Sequence, residues 1–222
     1  MIEARNIEKS YGSELVLKGV SLKVNKGEFV SIMGESGSGK STLLSILGGF
    51  LAPDGGEVLW SGERADLMNE KRLAELRSTD MGFVFQSFKL IPTLNVNDNL
   101  LLPATLGKKV NKELLEYKEE LLKILKLSDM KNKFPDQLSG GQCQRVAIAR
   151  SLVYRPKVII LDEPTGALDS GMEEVVMNLI SKVNKEEGTT IIQVTHSMKV
   201  ASYAERIITL KDGEITSSGV SL

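Results

Sequence analysis

The sequence contains little cysteine and no long hydrophobic run. Its single cysteine, Cys143, excludes an intramolecular disulfide. No charged segment followed by an apolar stretch opens the chain, so we expect no secretion signal and a location in the reducing cytosol. The longest apolar runs, such as residues 158–161, are far shorter than the roughly 20 residues that a membrane-spanning helix needs. We therefore expect no direct membrane insertion.

Neither sign of charge is in excess. Lys and Arg total 28, Asp and Glu total 29, and the formal net charge is −1. A surface balanced in this way creates no strong field toward nucleic acid or anionic lipid, so nucleic acid is not an expected partner. The length of 222 residues and the ordinary apolar content predict one domain with a substantial core.

Short β-branched runs alternate with helical patterns along the chain. This alternation predicts an α/β fold with a mostly parallel sheet. The predicted strands of that sheet are residues 29–33, 158–161, 189–194 and 206–210. Three earlier runs, separated by glycine-bearing turns, predict a small antiparallel β layer. They are residues 2–6, 20–24 and 57–60.

The strand signal disappears between about residues 88 and 150. Within that stretch, residues 112–127 show the apolar spacing of an amphipathic helix. We therefore expect a single domain over residues 1–222 with an inserted helical subdomain at about residues 88–150.

A P-loop pattern follows the first predicted strand of the parallel sheet and opens a helical run at residues 41–47. The residues are Gly34, Glu35, Ser36, Gly37, Ser38, Gly39, Lys40 and Ser41, with Thr42 next in the helix. The glycines let backbone N–H groups turn toward phosphate oxygens, and the helix start adds a positive dipole end. We expect Lys40 at the β- and γ-phosphates of a nucleotide and Ser41 at a magnesium ion.

A second apolar strand ends in the carboxylate pair Asp162 and Glu163. At the carboxyl end of a central parallel strand, such a pair faces the ligand crevice. We expect Asp162 to bind magnesium through water and Glu163 to polarise the water that attacks the γ-phosphate. An acidic pair after a strand is more often a helix cap or a loop charge, but the P-loop upstream favours the catalytic interpretation.

The segment at residues 138–142, Leu-Ser-Gly-Gly-Gln before a helical run, resembles the signature motif of the ABC ATPases. The other motifs of that family occur in order over the whole chain. Tyr11 resembles the aromatic residue that stacks on adenine, and Gln86 resembles the Q-loop glutamine. Asp169 lies in a segment similar to the D-loop, and His196 resembles the switch histidine. Each match is weak alone, whereas the complete set is specific.

The resemblance implies the ABC ATPase fold: a P-loop NTPase core with a mostly parallel sheet, an antiparallel β layer and an inserted helical subdomain. It implies ATP and Mg²⁺ as ligands and ATP hydrolysis as the activity. Lys40, Gln86, Glu163 and His196 are the implied catalytic residues, and Ser41, Gln86 and Asp162 the implied metal-binding residues.

The family also implies a homodimer that encloses two ATP molecules. In that arrangement, the signature of one chain binds the γ-phosphate held by the P-loop of the other. The signature residues are Ser139, Gly140, Gly141 and Gln142. The resemblance further implies that Asp169 crosses the dimer interface and that His196 contacts the γ-phosphate.

Residues 81–100 resemble a subgroup that serves lipoprotein release, macrolide export and antimicrobial-peptide export or resistance. This resemblance implies a separate polytopic membrane permease as partner, which would hold the chain at the cytoplasmic face of the cell membrane. We expect Gln86 and the helical subdomain after it to form the groove for a permease helix, with Phe88 and Leu90 exposed there. The transported substrate is not encoded in these residues, because the permease and accessory proteins select it.

Several alternatives differ in function class. Within the family, a cell-division ATPase that signals through a membrane partner without transport stays open. A soluble ABC protein of ribosomes or DNA repair is expected to have two fused ATPase units or a long coiled coil, and neither pattern occurs. A non-ABC P-loop kinase leaves the signature segment unexplained. Sugar import is disfavoured because no regulatory domain follows residues 212–215.

Overall fold

The computed structural model describes residues 1–107 and 110–220, which form ten strands and seven α-helices. The strands are β1 (Ile2–Tyr11), β2 (Glu14–Val24), β3 (Phe29–Met33), β4 (Gly55–Trp60), β5 (Glu63–Arg64), β6 (Met81–Val84), β7 (Val158–Asp162), β8 (Thr190–Val194), β9 (Arg206–Lys211) and β10 (Glu214–Val220). The helices are α1 (Lys40–Leu47), α2 (Glu70–Thr79), α3 (Val96–Leu106), α4 (Lys112–Ile124), α5 (Gly140–Leu152), α6 (Ser170–Glu187) and α7 (Met198–Ala201).

The main sheet has six strands in the order β10-β9-β3-β8-β7-β6. All neighbours pair in parallel except β9 and β10, which are antiparallel. The central strands β7 and β8 are buried on both faces, which explains why apolar residues occupy consecutive positions in them. The predicted mostly parallel sheet is confirmed, while β6 and β10 are additions at its two edges.

The antiparallel layer predicted near the start of the chain is also present, with strand order β2-β1-β4-β5. A two-residue turn joins β1 to β2, and Gly12 in that turn has a φ of 61°, in the region that favours glycine. The strands β1 and β2 extend further than the predicted runs at residues 2–6 and 20–24.

Two apolar clusters hold these layers together. One lies between the antiparallel layer, α1 and the adjoining face of the main sheet. The other joins the helices α3, α4, α5 and α6 to the opposite face of the sheet. The position of α5 is further fixed by Tyr154, whose hydroxyl donates to the carbonyl oxygen of Met81 at 2.6 Å. The helices that follow β6 are therefore packed directly on the main sheet.

The amphipathic helix predicted at residues 112–127 ends earlier, at Ile124. Lys126 has a left-handed backbone with a φ of 53°, which a continuing α-helix does not accommodate. Leu125 and Leu127 are nevertheless fully buried, so their apolar character comes from core packing beyond the helix. Among the described helices, none has both the length and the apolar composition required to cross a membrane.

The buried centre of β8 gives a test of the core. Ile192 is fully buried, so Ile192→Ala should lower the free energy of unfolding by about 2–5 kcal/mol through lost apolar burial and a residual cavity. Leu67 is 72% exposed, so Leu67→Ala should change it by less than about 0.5 kcal/mol. Urea denaturation of both variants measures this difference, and equal losses would contradict the assignment of the core.

Candidate active site

A pocket of about 700 Å³ lies at the carboxyl edge of the main sheet. Its volume falls in the range of small-molecule sites. Most of the residues predicted from the sequence to bind or act on a nucleotide line this pocket. They are Tyr11, Gly34, Ser36, Gly37, Gly39, Lys40, Ser41, Thr42, Gln86, Asp162, Glu163 and His196.

The parallel sheet brings these residues together because four of its strands end at the same edge. The P-loop follows β3, the carboxylate pair ends β7, and His196 follows β8. The register aligns Val194 of β8 with Ile32 on one side and with Asp162 on the other. Gln86 follows β6, which pairs in parallel with β7.

The P-loop backbone requires glycine at two of its positions for different reasons. A Cβ atom on Gly34 would lie 2.1 Å from the carbonyl oxygen of Leu210 in β9, so no side chain fits there. Gly39, the N-cap of α1, has a φ of 98°, which side chains rarely adopt. The Ser38 hydroxyl is buried and has no hydrogen-bond partner in the described part of the chain. This loop thus holds a buried hydroxyl without a partner next to the start of α1.

Lys40 begins α1 and lines the pocket. Its Nζ donates to the carbonyl oxygens of Gly34 at 2.9 Å and Glu35 at 2.6 Å. The ammonium group therefore lies over the P-loop, where its charge and the positive end of the helix dipole act in the same direction.

Ser41 and Asp162 line the pocket and contact each other. The Ser41 hydroxyl donates to Oδ1 of Asp162 at 3.2 Å. Burial raises the pKa of the Asp162 carboxyl above its ordinary range, and the adjacent charge of Glu163 acts in the same direction, although the bond from Ser41 opposes them. A bound cation would favour the ionised form of this carboxyl.

Glu163 and His196 form a direct contact that the sequence did not indicate. The Nδ1 atom of His196 lies 2.8 Å from Oε1 of Glu163, with the histidine largely exposed and the carboxylate mostly buried. Glu163 has a φ of 49°, a conformation that is costly for a residue with a side chain. Its N–H donates to the carbonyl oxygen of Val194, which fixes the carboxylate between the ends of β7 and β8.

The signature residues and Asp169 do not line the pocket of their own chain. Ser139 is the N-cap of α5: its hydroxyl accepts from the N–H of Gln142, whose side chain accepts in return from the N–H of Ser139. Ser139 and Gly140 are exposed at this helix start. Asp169 caps α6 by accepting from the N–H of Met172, which lowers the pKa of its carboxyl. Glu35 and Ser38 also lie outside the pocket lining.

Sequence reasoning did not assign five residues that line the pocket. They are Val16, Gln144, Gly166, Ala167 and Val194. Gln144, on α5, is 1% exposed, and its Nε2 has no hydrogen-bond partner among the residues described. A polar residue on the buried face of the signature helix was the signal that could have identified it.

Comparisons with known proteins identify the family of this chain. The family described as ABC transporter matches residues 17–166. The lipoprotein-releasing system ATP-binding protein LolD of Aquifex aeolicus is 47% identical over 97% of this chain and 96% of its own length. The macrolide export ATP-binding/permease protein MacB of Pasteurella multocida is 43% identical over all of this chain but over only 35% of its own length.

A solved structure has the same fold. It is a dimer of the ATP-binding cassette MJ0796 of Methanocaldococcus jannaschii in a post-hydrolysis state, bound to ADP and Pi. Its TM-score is 0.94 at 43% identity, and the match covers 100% of this chain and 99% of the other. The predicted fold and ATPase activity are confirmed, and the chain belongs to the ABC transporter family as one of its ATP-binding subunits.

Proposed function

We propose that this ATPase binds MgATP in the 700 Å³ pocket, pairs with a second copy across two nucleotides and drives a membrane permease. The observation that carries the proposal is the separation of two anion-binding helix starts. The start of α1 lines the pocket, whereas the start of α5 is exposed outside it. A second copy would supply the missing helix start to each site.

The residues around Ser41 fit a magnesium ion. Magnesium prefers oxygen ligands, and the Ser41 hydroxyl and the buried Asp162 carboxylate lie side by side in the pocket that Gln86 also lines. These three residues would hold the ion, with Asp162 acting through water. When bound, magnesium neutralises charge on the phosphate oxygens.

The catalytic assignment follows from the environment of Glu163. Its carboxylate would accept a proton from the attacking water, while its backbone is fixed by β8. With the proton on Nδ1, His196 donates to Oε1 of Glu163, which orients the carboxylate and leaves Oε2 for the water. Lys40 would stabilise the charge on the β- and γ-phosphates, and the exposed ring of Tyr11 would stack on adenine.

The dimer would be held by the signature. The helices α3, α4 and α5, within the subdomain at about residues 88–150, would present Ser139, Gly140, Gly141 and Gln142 to the γ-phosphate of the other chain. Asp169 would lie at the same interface. MJ0796, whose cassette forms a dimer with bound ADP and Pi, supports this arrangement.

We propose that a permease segment binds a groove of about 290 Å³ between α2, β6 and α3. Three aromatic rings form its apolar wall, Phe50, Phe83 and Phe85, with centroids 4.2–5.3 Å apart. Phe50 and Leu106 are exposed. A permease is the favoured occupant because MacB carries an ATP-binding part and a permease in one chain.

The expected exposure of Phe88 and Leu90 in this groove was wrong. Both side chains are partly buried and pack against the core of the helical region. The apolar surface lies instead on Phe83 and Phe85, which precede Gln86, and on α3.

The names of the relatives favour release or export, as in LolD and MacB. We propose a cytoplasmic location, peripheral to the cell membrane through the permease, with no nucleic-acid partner.

Removal of the Lys40 ammonium tests the binding of the phosphates. Lys40→Ala should lower the rate of ATP hydrolysis by at least about 100-fold, because a charge directed at the transferring phosphate is lost. Lys182→Ala removes an exposed ammonium from α6 and should leave the rate unchanged. A phosphate-release assay measures both, and near-normal turnover by Lys40→Ala would contradict the P-loop assignment.

Blocking hydrolysis should trap the dimer. Glu163→Gln keeps the shape of the side chain but removes the base, so size-exclusion chromatography with MgATP should give a dimer that ADP does not support.

A second substitution, Gly140→Asp, tests whether the signature acts across the dimer interface, and the structure favours this position. A Cβ at Gly140 enters open space, whereas one at Gly141 would lie 2.9 Å from the carbonyl oxygen of Ala167 in the same chain. In the Glu163→Gln background, Gly140→Asp places a carboxylate against the γ-phosphate, so the protein should bind ATP as a monomer. Undiminished dimerisation of the double variant would exclude action of the signature across the interface.

Charged substitutions in the groove test whether a permease binds there. Phe50→Glu or Leu106→Glu should abolish co-purification with a co-expressed permease, because an unpaired carboxylate would be buried on binding. ATP binding by the isolated chain should persist. Leu67→Glu, at an exposed position outside the groove, is the matched control. Retained association of both groove variants would show that the permease binds elsewhere.

A further inference from the structure

The loop after β6 places Gln86 in the nucleotide pocket. The backbone of this loop has an uncommon conformation. The N–H of Phe88 donates to the carbonyl oxygen of Phe85 at 3.0 Å and closes a turn that contains Gln86. Phe88 and the next residue, Lys89, both have left-handed conformations, with φ values of 60° and 48°. Two consecutive non-glycine residues in this region are unfavourable unless other contacts hold them.

Arg150, near the end of α5, provides those contacts. Its Nη2 donates to the carbonyl oxygen of Phe88 at 2.7 Å, and its Nη1 donates to that of Lys89 at 2.6 Å. Arg150 is only 9% exposed and forms no ion pair with any carboxylate in the described residues. A planar guanidinium can hold two adjacent carbonyl groups in fixed geometry, which the single ammonium of a lysine cannot do.

The backbone turn, and not a side-chain hydrogen bond, fixes the position of Gln86. The Gln86 side chain makes no hydrogen bond of its own within residues 1–107 and 110–220. The later part of the same loop is held separately by the buried Asn99, which bonds to both the N–H and the carbonyl oxygen of Ile91. Arg150 is therefore the anchor of the part next to Gln86.

We propose that Arg150 is a positioning residue for Gln86 and that it ties the Gln86 turn to the signature helix. The helix α5 begins at Gly140 in the signature and carries Arg150 close to its other end. A movement of the turn would therefore act on the helix that carries the signature glycines. Lys89 and Arg150 also line the groove assigned to the permease, so a segment bound there would lie beside the anchor. This inference rests on the proposed function, in which Gln86 acts at the magnesium ion.

The test is Arg150→Lys in the full chain, with hydrolysis and binding of trinitrophenyl-ATP measured over a range of Mg²⁺ concentrations. The Mg²⁺ concentration for half-maximal hydrolysis should rise about 10-fold or more, as expected when a group that orients a metal ligand is removed. Binding of trinitrophenyl-ATP in EDTA should be unchanged, because the P-loop is untouched. A general loss of structure would instead weaken the binding of trinitrophenyl-ATP both with Mg²⁺ and in EDTA.

Arg155→Lys is the matched control. Arg155 lies just beyond α5, where it pairs with Glu187 at 3.2 Å and stacks on Tyr117, away from the Gln86 turn. This variant should keep the wild-type Mg²⁺ dependence. Hydrogen exchange of the Phe88 amide should be faster in Arg150→Lys and unchanged in Arg155→Lys, because only the first variant loosens the turn.

A double-mutant cycle separates this inference from the proposed function. Gln86→Ala alone should raise the Mg²⁺ requirement, and Arg150→Lys should add nothing further in that background. If Gln86→Ala has no effect, the proposed role of Gln86 fails. If Gln86→Ala has its effect but Arg150→Lys matches wild type, or if the two effects add fully, the positioning role of Arg150 is overturned.

Arg150→Gln serves as a second variant because it leaves no unpaired cation in the interior. If Arg150→Lys does not fold, Arg150→Gln should show the same shift in Mg²⁺ dependence. Failure of both variants to fold, while Arg155→Lys folds normally, would also overturn the inference. Arg150 would then be required for the fold itself.

Discussion

The site depends on the parallel pairing of β3, β8 and β7 with β6, which ends four strands at one edge of the sheet. Parallel strands place their carboxyl ends together, so groups that are far apart in the sequence converge there. The P-loop, the Asp162–Glu163 pair and His196 come from three different strands of this set. A change in the register of β7 by one residue would direct Asp162, the last residue of that strand, to the opposite face of the sheet.

Close contacts at the carboxyl edge of the sheet explain how the site retains residues in energetically unfavourable environments or conformations. The P-loop lies directly against β9, where only a glycine fits at position 34. Asp162 is buried beside another carboxylate, which raises its pKa and makes the pocket unfavourable for two negative charges without a counter-charge. Glu163 keeps a left-handed backbone because β8 accepts its N–H. These features fit a site for an anionic ligand such as a nucleotide.

The helix α5 connects three surfaces of the molecule. Its first turn carries the exposed signature, its buried face directs Gln144 into the nucleotide pocket, and Arg150 near its end lines the aromatic groove. Packed helices and sheets move as rigid units, so the position of one end of α5 constrains the other. This geometry gives a physical route between the nucleotide pocket and the groove.

The sequence by itself determined the family, the ATPase activity, the mostly parallel sheet and most of the residues that line the pocket. It could do so because glycine spacing, strand-ending carboxylates and apolar periodicity are local properties of the chain. The Glu163–His196 contact, the burial of Gln144, the inward packing of Phe88 and the anchor at Arg150 were decided only by the tertiary structure. Each of these depends on atoms that are 33 to 62 positions apart or on packing between helix and sheet, and no local pattern encodes such distances.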